Sequence, residues 1–278
     1  MTRRLLPLAL LGAALLTAAS AQPSRTLPDD PWCQSAGYTD ADRVRACEVR
    51  ETLTAAARLD LDGQPNGSVH VTRWDRDDVL VRAVVVAYAP DEAAAREVLG
   101  GVRVRVDGGE VQAQAPAGGW YRDGRFASVS FDVFAPRDTD VVVQTTNGAV
   151  RVDGIRGDVE VRSLNGAVAL AGVGGDVRVR AVNGAVRVDL DERWDGRGLD
   201  VETTNGAVVL GLAPEFSGEL SARTRVGRIG LSGLDNVAHL DRQRGRWMGD
   251  RVTARLGTGG PRVTVATTNG GISIRQSR

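Results

Sequence analysis

One short phrase recurs along the second half of this chain at nearly constant spacing, and it restricts the fold more than any other feature. Thr145-Thr146-Asn147-Gly148-Ala149-Val150-Arg151-Val152 is followed by Asn165-Gly166-Ala167-Val168-Ala169-Leu170 and then Asn183-Gly184-Ala185-Val186-Arg187-Val188, each 18 residues after the last. Thr203-Thr204-Asn205-Gly206-Ala207-Val208-Val209-Leu210 comes 22 residues later. Thr224 to Leu231 keeps the frame 21 residues further on, with Val226 in the Asn position, and Thr267-Thr268-Asn269-Gly270-Gly271-Ile272-Ser273-Ile274 closes the series. Asn66-Gly67-Ser68-Val69-His70-Val71 is an early outlier. A second strand lies inside each unit: Gly157-Asp158-Val159-Glu160-Val161-Arg162 returns as Gly175-Asp176-Val177-Arg178-Val179-Arg180. A unit of turn, strand, turn, strand is too short to bury its own apolar face, so its neighbours must cover it.

Two architectures satisfy that need. Asn-Gly is the best two-residue hairpin turn, which allows a meander. Alternatively, units stack as rungs about 4.8 Å apart. The constant register favours stacking, which puts Val150 over Val168 and Val186, and Val159 over Val177. It also aligns Asn147, Asn165, Asn183, Asn205 and Asn269 as a turn or ladder column. Amides in such a column bond the ones above and below, and the expectation is an inward column. The expected fold is therefore all-β: a single-chain β-solenoid, β-helix-like, of about 18–22-residue two-strand rungs, with short helices near the N-terminus.

The first half is less regular. Residues 1–21 read as a signal peptide: Arg3 and Arg4, an apolar run to Ala18, then Ala19-Ser20-Ala21 before a cut at Gln22. Residues 22–57 form an N-terminal segment holding Cys33 and Cys47, and residues 58–278 form the β-strand-repeat domain, regular over 145–278. Thr39 is placed to cap a helix from about Asp40 to Leu53, with Val44 and Cys47 on one face. A second helix starts at Pro90-Asp91-Glu92 and ends at Gly100-Gly101. Around it the chain alternates with period two, as in Val102-Arg103-Val104-Arg105-Val106.

Export makes the two cysteines one disulfide, Cys33 to Cys47. The destination is the periplasm, the cell envelope or the exterior, with no transmembrane segment after cleavage. The chain carries 35 basic and 35 acidic residues, every basic one an arginine. Such a balance excludes non-specific nucleic-acid binding as the purpose of the fold.

These repeats resemble a bacterial family of β-strand-repeat proteins of unknown function labelled putative adhesins, similar to autotransporter-adhesin heads. The family pattern is a repeated Thr-x-Asn-Gly-x-Val-x-Val preceded by a Trp-Asp-x-x-x-Val-x-Val strand, supplied here by Trp74-Asp75-Arg76-Asp77-Asp78-Val79-Leu80-Val81. The resemblance runs from about Arg58 to Ile274. It implies an envelope or surface protein and transfers no catalytic residue. The segment with Cys33 and Cys47 lies outside it.

Catalytic signatures are missing: no Gly-x-Ser-x-Gly, no His-Glu-x-x-His, no Walker lysine. Nothing in the residue pattern calls for a cofactor or a metal. Gly174-Gly175-Asp176 lacks the tandem nonapeptides of a calcium-binding roll, and Arg156-Gly157-Asp158 falls on a repeat turn. Arg151, Arg162, Arg178, Arg180 and Arg187 project outward on alternating strands, either as a solvated face or as contacts to an anionic polymer. Loops Asp189–Gly198 and Asp235–Asp250 break the register and hold Trp194 and Trp247, as plugs over apolar edges or as ligand platforms; Trp120-Tyr121 sits in a third loop. The expected function is a non-catalytic, adhesin-like or structural protein that binds an envelope polysaccharide or a surface protein. An accessory or sensor protein of an envelope-stress system is the alternative, and a carbohydrate-active β-helix enzyme comes third.

Overall fold

The computed structural model describes residues 25–27, 30–35, 43–63, 66–245 and 249–276, so the signal segment lies outside the described residues. Among the described residues the chain is all-β, in two large sheets of 12 and 11 strands. It enters through β1 (Arg25–Leu27), the short helix α1 (Pro31–Ser35) and β2 (Val44–Thr54). There follow β3 (Arg58–Asp62), β4 (Val69–Arg73), β5 (Val79–Ala89), the helix α2 (Glu92–Gly101), β6 (Arg103–Asp107), β7 (Glu110–Gln114), β8 (Tyr121–Arg122) and β9 (Arg125–Ala135).

The helix expected over 40–53 is not formed: residues 40–42 lie outside the described residues, and 44–54 are β2, antiparallel to β5 from Val44↔Ala89 to Thr54↔Val79. Burial decides against it. Cys47 and Val49, two residues apart, pack on one face with Val84, Val86 and Tyr88, while Ala46 packs on the other with Ala89, Ala94 and Ala95. A period of two satisfies both layers; a helix would satisfy one. β2 thus belongs to the same sheet as β4. Helix α2 forms where its signals lie. Asp91 accepts from the Ala94 N–H at 2.8 Å, and Ala94, Ala95, Val98 and Leu99 are buried.

From residue 140 each unit gives one strand to each sheet. The units are β10 (Asp140–Asn147) with β11 (Val150–Asp153), β12 (Val159–Asn165) with β13 (Val168–Val173), β14 (Val177–Asn183) with β15 (Val186–Leu190), and β16 (Gly198–Asn205) with β17 (Val208–Leu212). All neighbours are parallel: Val150 lies beside Val168, then Val186, then Val208, and Val159 beside Val177, then Leu199. The strands flanking each Asn-Gly lie in different sheets, so the dipeptide is a corner and not a hairpin turn. Val143, Val161, Val179 and Val201 from one sheet and Val152, Leu170, Val188 and Leu210 from the other are fully buried and form a common core. The Asn66-Gly67 phrase is no outlier in space: β3 and β4 pair with β10 and β11, Leu61 beside Val143 and Val69 beside Val150.

The corner glycine is required by close approach. A Cβ on Gly166 would sit 1.9 Å from the Gly148 carbonyl oxygen; on Gly184 and Gly206 it would sit 2.0 Å from the oxygen of the preceding unit's glycine. None of these three has a left-handed backbone. Beside them, the inward Thr145 and Thr203 hydroxyls donate to the Gly67 and Gly184 carbonyls at 3.3 and 3.2 Å.

The C-terminal third departs from chain order. It comprises β18 (Gly218–Val226), β19 (Ile229–Ser232), β20 (Val237–Arg244), β21 (Asp250–Leu256), β22 (Arg262–Asn269) and β23 (Ile272–Gln276). β22 lies between β16 and β18, and β23 between β17 and β19. The unit of residues 262–276 is therefore inserted between two units that are neighbours in sequence. Asn269 then donates to Asn205 at 2.8 Å, and Val226 is moved to the end of the column. Stacking in chain order would set Val226 against Asn205 and interrupt the amide series. The stretch expected as a loop over Asp235–Asp250 is instead largely β20, antiparallel to β21, which pairs with β18. The buried Asp250 accepts from the Ile229 N–H at 3.1 Å, and Arg242 donates to the Ile229 carbonyl at 2.5 Å, which satisfies that part of the open edge of β19.

Candidate functional site

The asparagine column is continuous from Asn66 to Asn269. Asn147 donates to Asn66 at 3.2 Å, Asn165 to Asn147 at 2.9 Å, and Asn183 to Asn165, Asn205 to Asn183 and Asn269 to Asn205 at 2.8 Å. It differs from the expectation in direction: all five of Asn147, Asn165, Asn183, Asn205 and Asn269 are exposed. The inward position two residues earlier goes to Thr145, Ser163, Ala181, Thr203 and Thr267, whose smaller side chains fit against the core.

The five arginines do not converge. Arg151 and Arg187 project from β11 and β15 in one sheet; Arg162, Arg178 and Arg180 project from β12 and β14 in the other. Most are paired along the strand or across it: Arg151 with Asp153 and Arg187 with Asp189 at 2.6 Å, Arg162 with Glu160 at 2.5 Å, Arg180 with Asp200 at 2.6 Å. Arg162 and Arg180 are direct neighbours, as are Glu160 and Arg178, so the second pair offsets the like-charge contact of the first.

Of the shallow grooves on the second sheet, two cross β10, β12, β14 and β16. One, of about 520 Å³, runs over β10, β12, β14 and β16. One wall is the outward row Gln144, Arg162, Arg180 and Glu202; the other is Thr146, Leu164, Val182 and Thr204, with Leu164 and Val182 44% and 39% exposed. The other, about 440 Å³, is bounded by Arg58, Arg178 and Arg262 and by Asp158, Glu160 and Asp176. Its aspartates support the stack: the Asp158 N–H donates to Asp140 and the Asp176 N–H to Asp158, at 2.8 and 2.9 Å. Asp176 accepts in turn from the Arg197 backbone and guanidinium. Burial alone would raise its carboxyl, but these bonds outweigh burial and hold it below the usual range. Gly157 of the Arg-Gly-Asp phrase is packed against the backbone of Thr139, where a Cβ would lie 2.3 Å from a carbonyl oxygen.

Trp194 is half-buried, donates to the Gly175 carbonyl at 2.8 Å and lies 5.5 Å from the Phe216 ring, packed against the main core. These contacts hold the indole in place against the core. Trp247 lies outside the described residues. Trp120 also packs on the core, while Tyr121 is exposed.

A charged cluster on the outer face of the first sheet was not legible in the sequence. His70 on β4 sits between Asp132 on β9 and Asp153 on β11, with Nδ1 3.5 Å from Asp132 and Nε2 2.9 Å from Asp153 and 3.1 Å from the Thr72 hydroxyl. Asp132 is buried, and its Oδ2 makes no hydrogen bond among the described residues. Burial raises its carboxyl above the usual range despite His70 and Arg82 nearby. Burial also pushes Asp153 upward, but hydrogen bonds from Arg151 and His70 outweigh that and hold it low. The two carboxylates face opposite nitrogens of one ring, so they do not converge on a point. No cluster suited to a metal ion occurs among the described residues. Asp132 and Asp153 lie 62 and 83 positions from His70 along the chain, and only the parallel pairing of β9, β4 and β11 joins them.

Cys33 and Cys47 are disulfide-bonded and tie α1 to β2. No helix among the described residues is long and apolar enough to cross a membrane.

Fold and surface together define a class: an all-β protein of stacked repeats with an ion-paired, grooved exterior and a disulfide at its N-terminal end. No family model matches the chain, and no curated protein matches it. Among solved structures it is similar to a putative cell adhesion protein from Clostridium sporogenes, at 10% identity and a TM-score of 0.44, over 82% of this chain and 100% of that one. A putative adhesin from Bacteroides fragilis is similar at 11% identity and a TM-score of 0.40, over 86% and 98%. A putative lipid binding protein from Parabacteroides distasonis follows at 11% and 0.26, over 84% and 97%.

Proposed function

We propose that this chain is a β-solenoid that acts as a non-catalytic, adhesin-like binding protein of the cell envelope or exterior, holding a linear envelope polysaccharide. The observation that carries the reading is the groove over β10, β12, β14 and β16. It runs across the strands, so a polymer lying in it meets a new strand about every 4.8 Å, with the Arg162–Leu164 pair of β12 repeated by Arg180–Val182 on β14. Leu164 and Val182 suit the apolar faces of sugar rings; Gln144 and Glu202 suit their hydroxyls, and Arg162 and Arg180 their acidic groups. The Cys33–Cys47 bond supports an oxidising compartment. Pairing of the surface carboxylates with arginine supports a binding role over acid–base chemistry, because a paired carboxylate is a poor proton donor near neutral pH. The test is retention of the exported chain on an array of envelope polysaccharides and on peptidoglycan. Leu164→Asp with Val182→Asp, both on the surface, should weaken binding at least ~10-fold with an unchanged melting temperature. Retention of no polymer, or full binding by the double variant, overturns the reading.

A further inference from the structure

The inserted unit has a consequence for how copies of this chain meet. Residues 262–276 fill a slot whose walls are made earlier in the chain: β16 and β17 on one side, β18 and β19 on the other. β22 is held in register at seven positions on each side, from Gly198 and Glu219 against Arg262 to Asn205 and Val226 against Asn269. β23 is held likewise by β17 and β19. The segment carries a large apolar load into the slot, with Val263, Val265, Ile272 and Ile274 all buried.

The walls are neighbours in sequence, joined only by residues 213–217, whereas their filler arrives after the β20–β21 hairpin. Contacts between sequence neighbours cost less loop entropy, so the two walls find each other before the filler does. They have matching strands: the register that now sets Thr203 and Thr224 beside Thr267, and Leu199 and Leu220 beside Val263, would also set Thr224 on Thr203 and Leu220 on Leu199. Five linking residues reach up to about 17 Å, enough for walls one or two strand spacings apart. The slot is thus an opening between two self-sufficient faces. The filler is attached through Gly257, Thr258, Gly259, Gly260 and Pro261, where the three glycines have φ of +55°, +82° and +132°. That is a hinge of left-handed backbone, which glycine re-sets at little cost.

We infer that residues 262–276 exchange between two copies of this chain, each copy's terminal unit filling the other's slot to give a closed, reciprocal dimer. Every contact of β22 and β23 is the same whichever copy donates them, so exchange changes only the hinge and the association entropy. The within-chain donor has an effective concentration on the order of mM. Dilute protein is therefore monomeric, and exchange appears when the chain is crowded, as an envelope protein is at a surface. The inference does not rest on the polysaccharide reading, and its test contains no polymer.

The full chain is unfolded with its disulfide intact and refolded over a range of concentrations up to about 1 mM, then sized. Tagged and untagged copies are refolded together, and co-purification reports dimers without any variant. Val209 and Ser273 are parallel neighbours on the outer surface, within disulfide reach. Val209→Cys with Ser273→Cys then reports which chain donated the unit: monomer should cross-link within the chain, dimer between chains. Expected is a dimer whose share rises with concentration and whose cross-links join two chains. No co-purification at the highest concentration overturns the inference, as does a dimer whose cross-links all lie within single chains.

Discussion

Replacing one corner glycine should damage this protein more than replacing the asparagine beside it. In Gly166→Ala the new Cβ would meet the Gly148 carbonyl oxygen at 1.9 Å, where real Cβ contacts essentially never fall below 3.0 Å. The obstacle is backbone, not a movable side chain, so the units must separate by about 1 Å out of a spacing near 4.8 Å. That strains two hydrogen bonds at the corner, Gly148 N–H to the Asn165 carbonyl and Gly166 N–H to the Asn183 carbonyl, both 3.0 Å. Overpacking of this kind costs about 1–3 kcal/mol, and weakening two backbone bonds adds about 1 kcal/mol. A chain of this size loses roughly 2–4 °C of melting temperature per kcal/mol, so the fall should be on the order of 10 °C. Asn165→Ala removes two exposed amide contacts, whose partners turn to water, and should cost about 1 kcal/mol or less. Melting followed by circular dichroism ranks the two variants, and hydrogen exchange locates the damage, which should centre on residues 147–188 and fade beyond the adjacent units. If Gly166→Ala melts with wild type while Asn165→Ala does not, the close-approach argument is wrong.

Exported protein should show no free thiol without reductant, and reduction should lower stability by roughly 3 kcal/mol from the loop it opens; two reactive thiols before reduction would contradict the bond. The two carboxylates beside His70 should respond to pH with opposite sign. Asp132 has a raised folded-state value, so its contribution is complete in acid and is lost as pH rises through that value; Asp132→Asn should flatten the loss. Asp153 has a lowered value, so its contribution is present above the unfolded value and is lost as pH falls through the folded one; Asp153→Asn should destabilise at neutral pH and not in strong acid. Melting temperature against pH for both variants decides, and curves that shift together would refute the assignment. Trp194→Ala should destabilise by about 3 kcal/mol or less, since the indole is half-buried, and leave polymer binding intact. Loss of binding at full stability would make it a ligand platform after all.

Spacing, period and turn chemistry were enough to specify the local grammar of this protein: one strand on each side of every Asn-Gly, Val over Val at 18-residue intervals, asparagines in one file, and a helix from Glu92 that Asp91 caps. These are short-range or strictly periodic properties, and a period read along the chain survives folding when neighbours in sequence become neighbours in space. The same limit explains what the residues could not show. The direction of the asparagine file depends on what else competes for the interior, and the hydroxyls two residues upstream fit there better than amides. Residues 44–54 carried one helix-like pair, but the demand came from two packing layers remote in sequence, β5 on one edge, whose partners lie 25 to 45 positions away, and α2 on one face. The His70 cluster exists only because β9, β4 and β11 are parallel neighbours. Above all, the order of the last units was decided by the tertiary structure. Parallel stacking is nearly indifferent to which compatible strand comes next, so the choice falls to the side chains at the seam, where Asn269 prolongs a hydrogen-bonded series that Val226 would have ended.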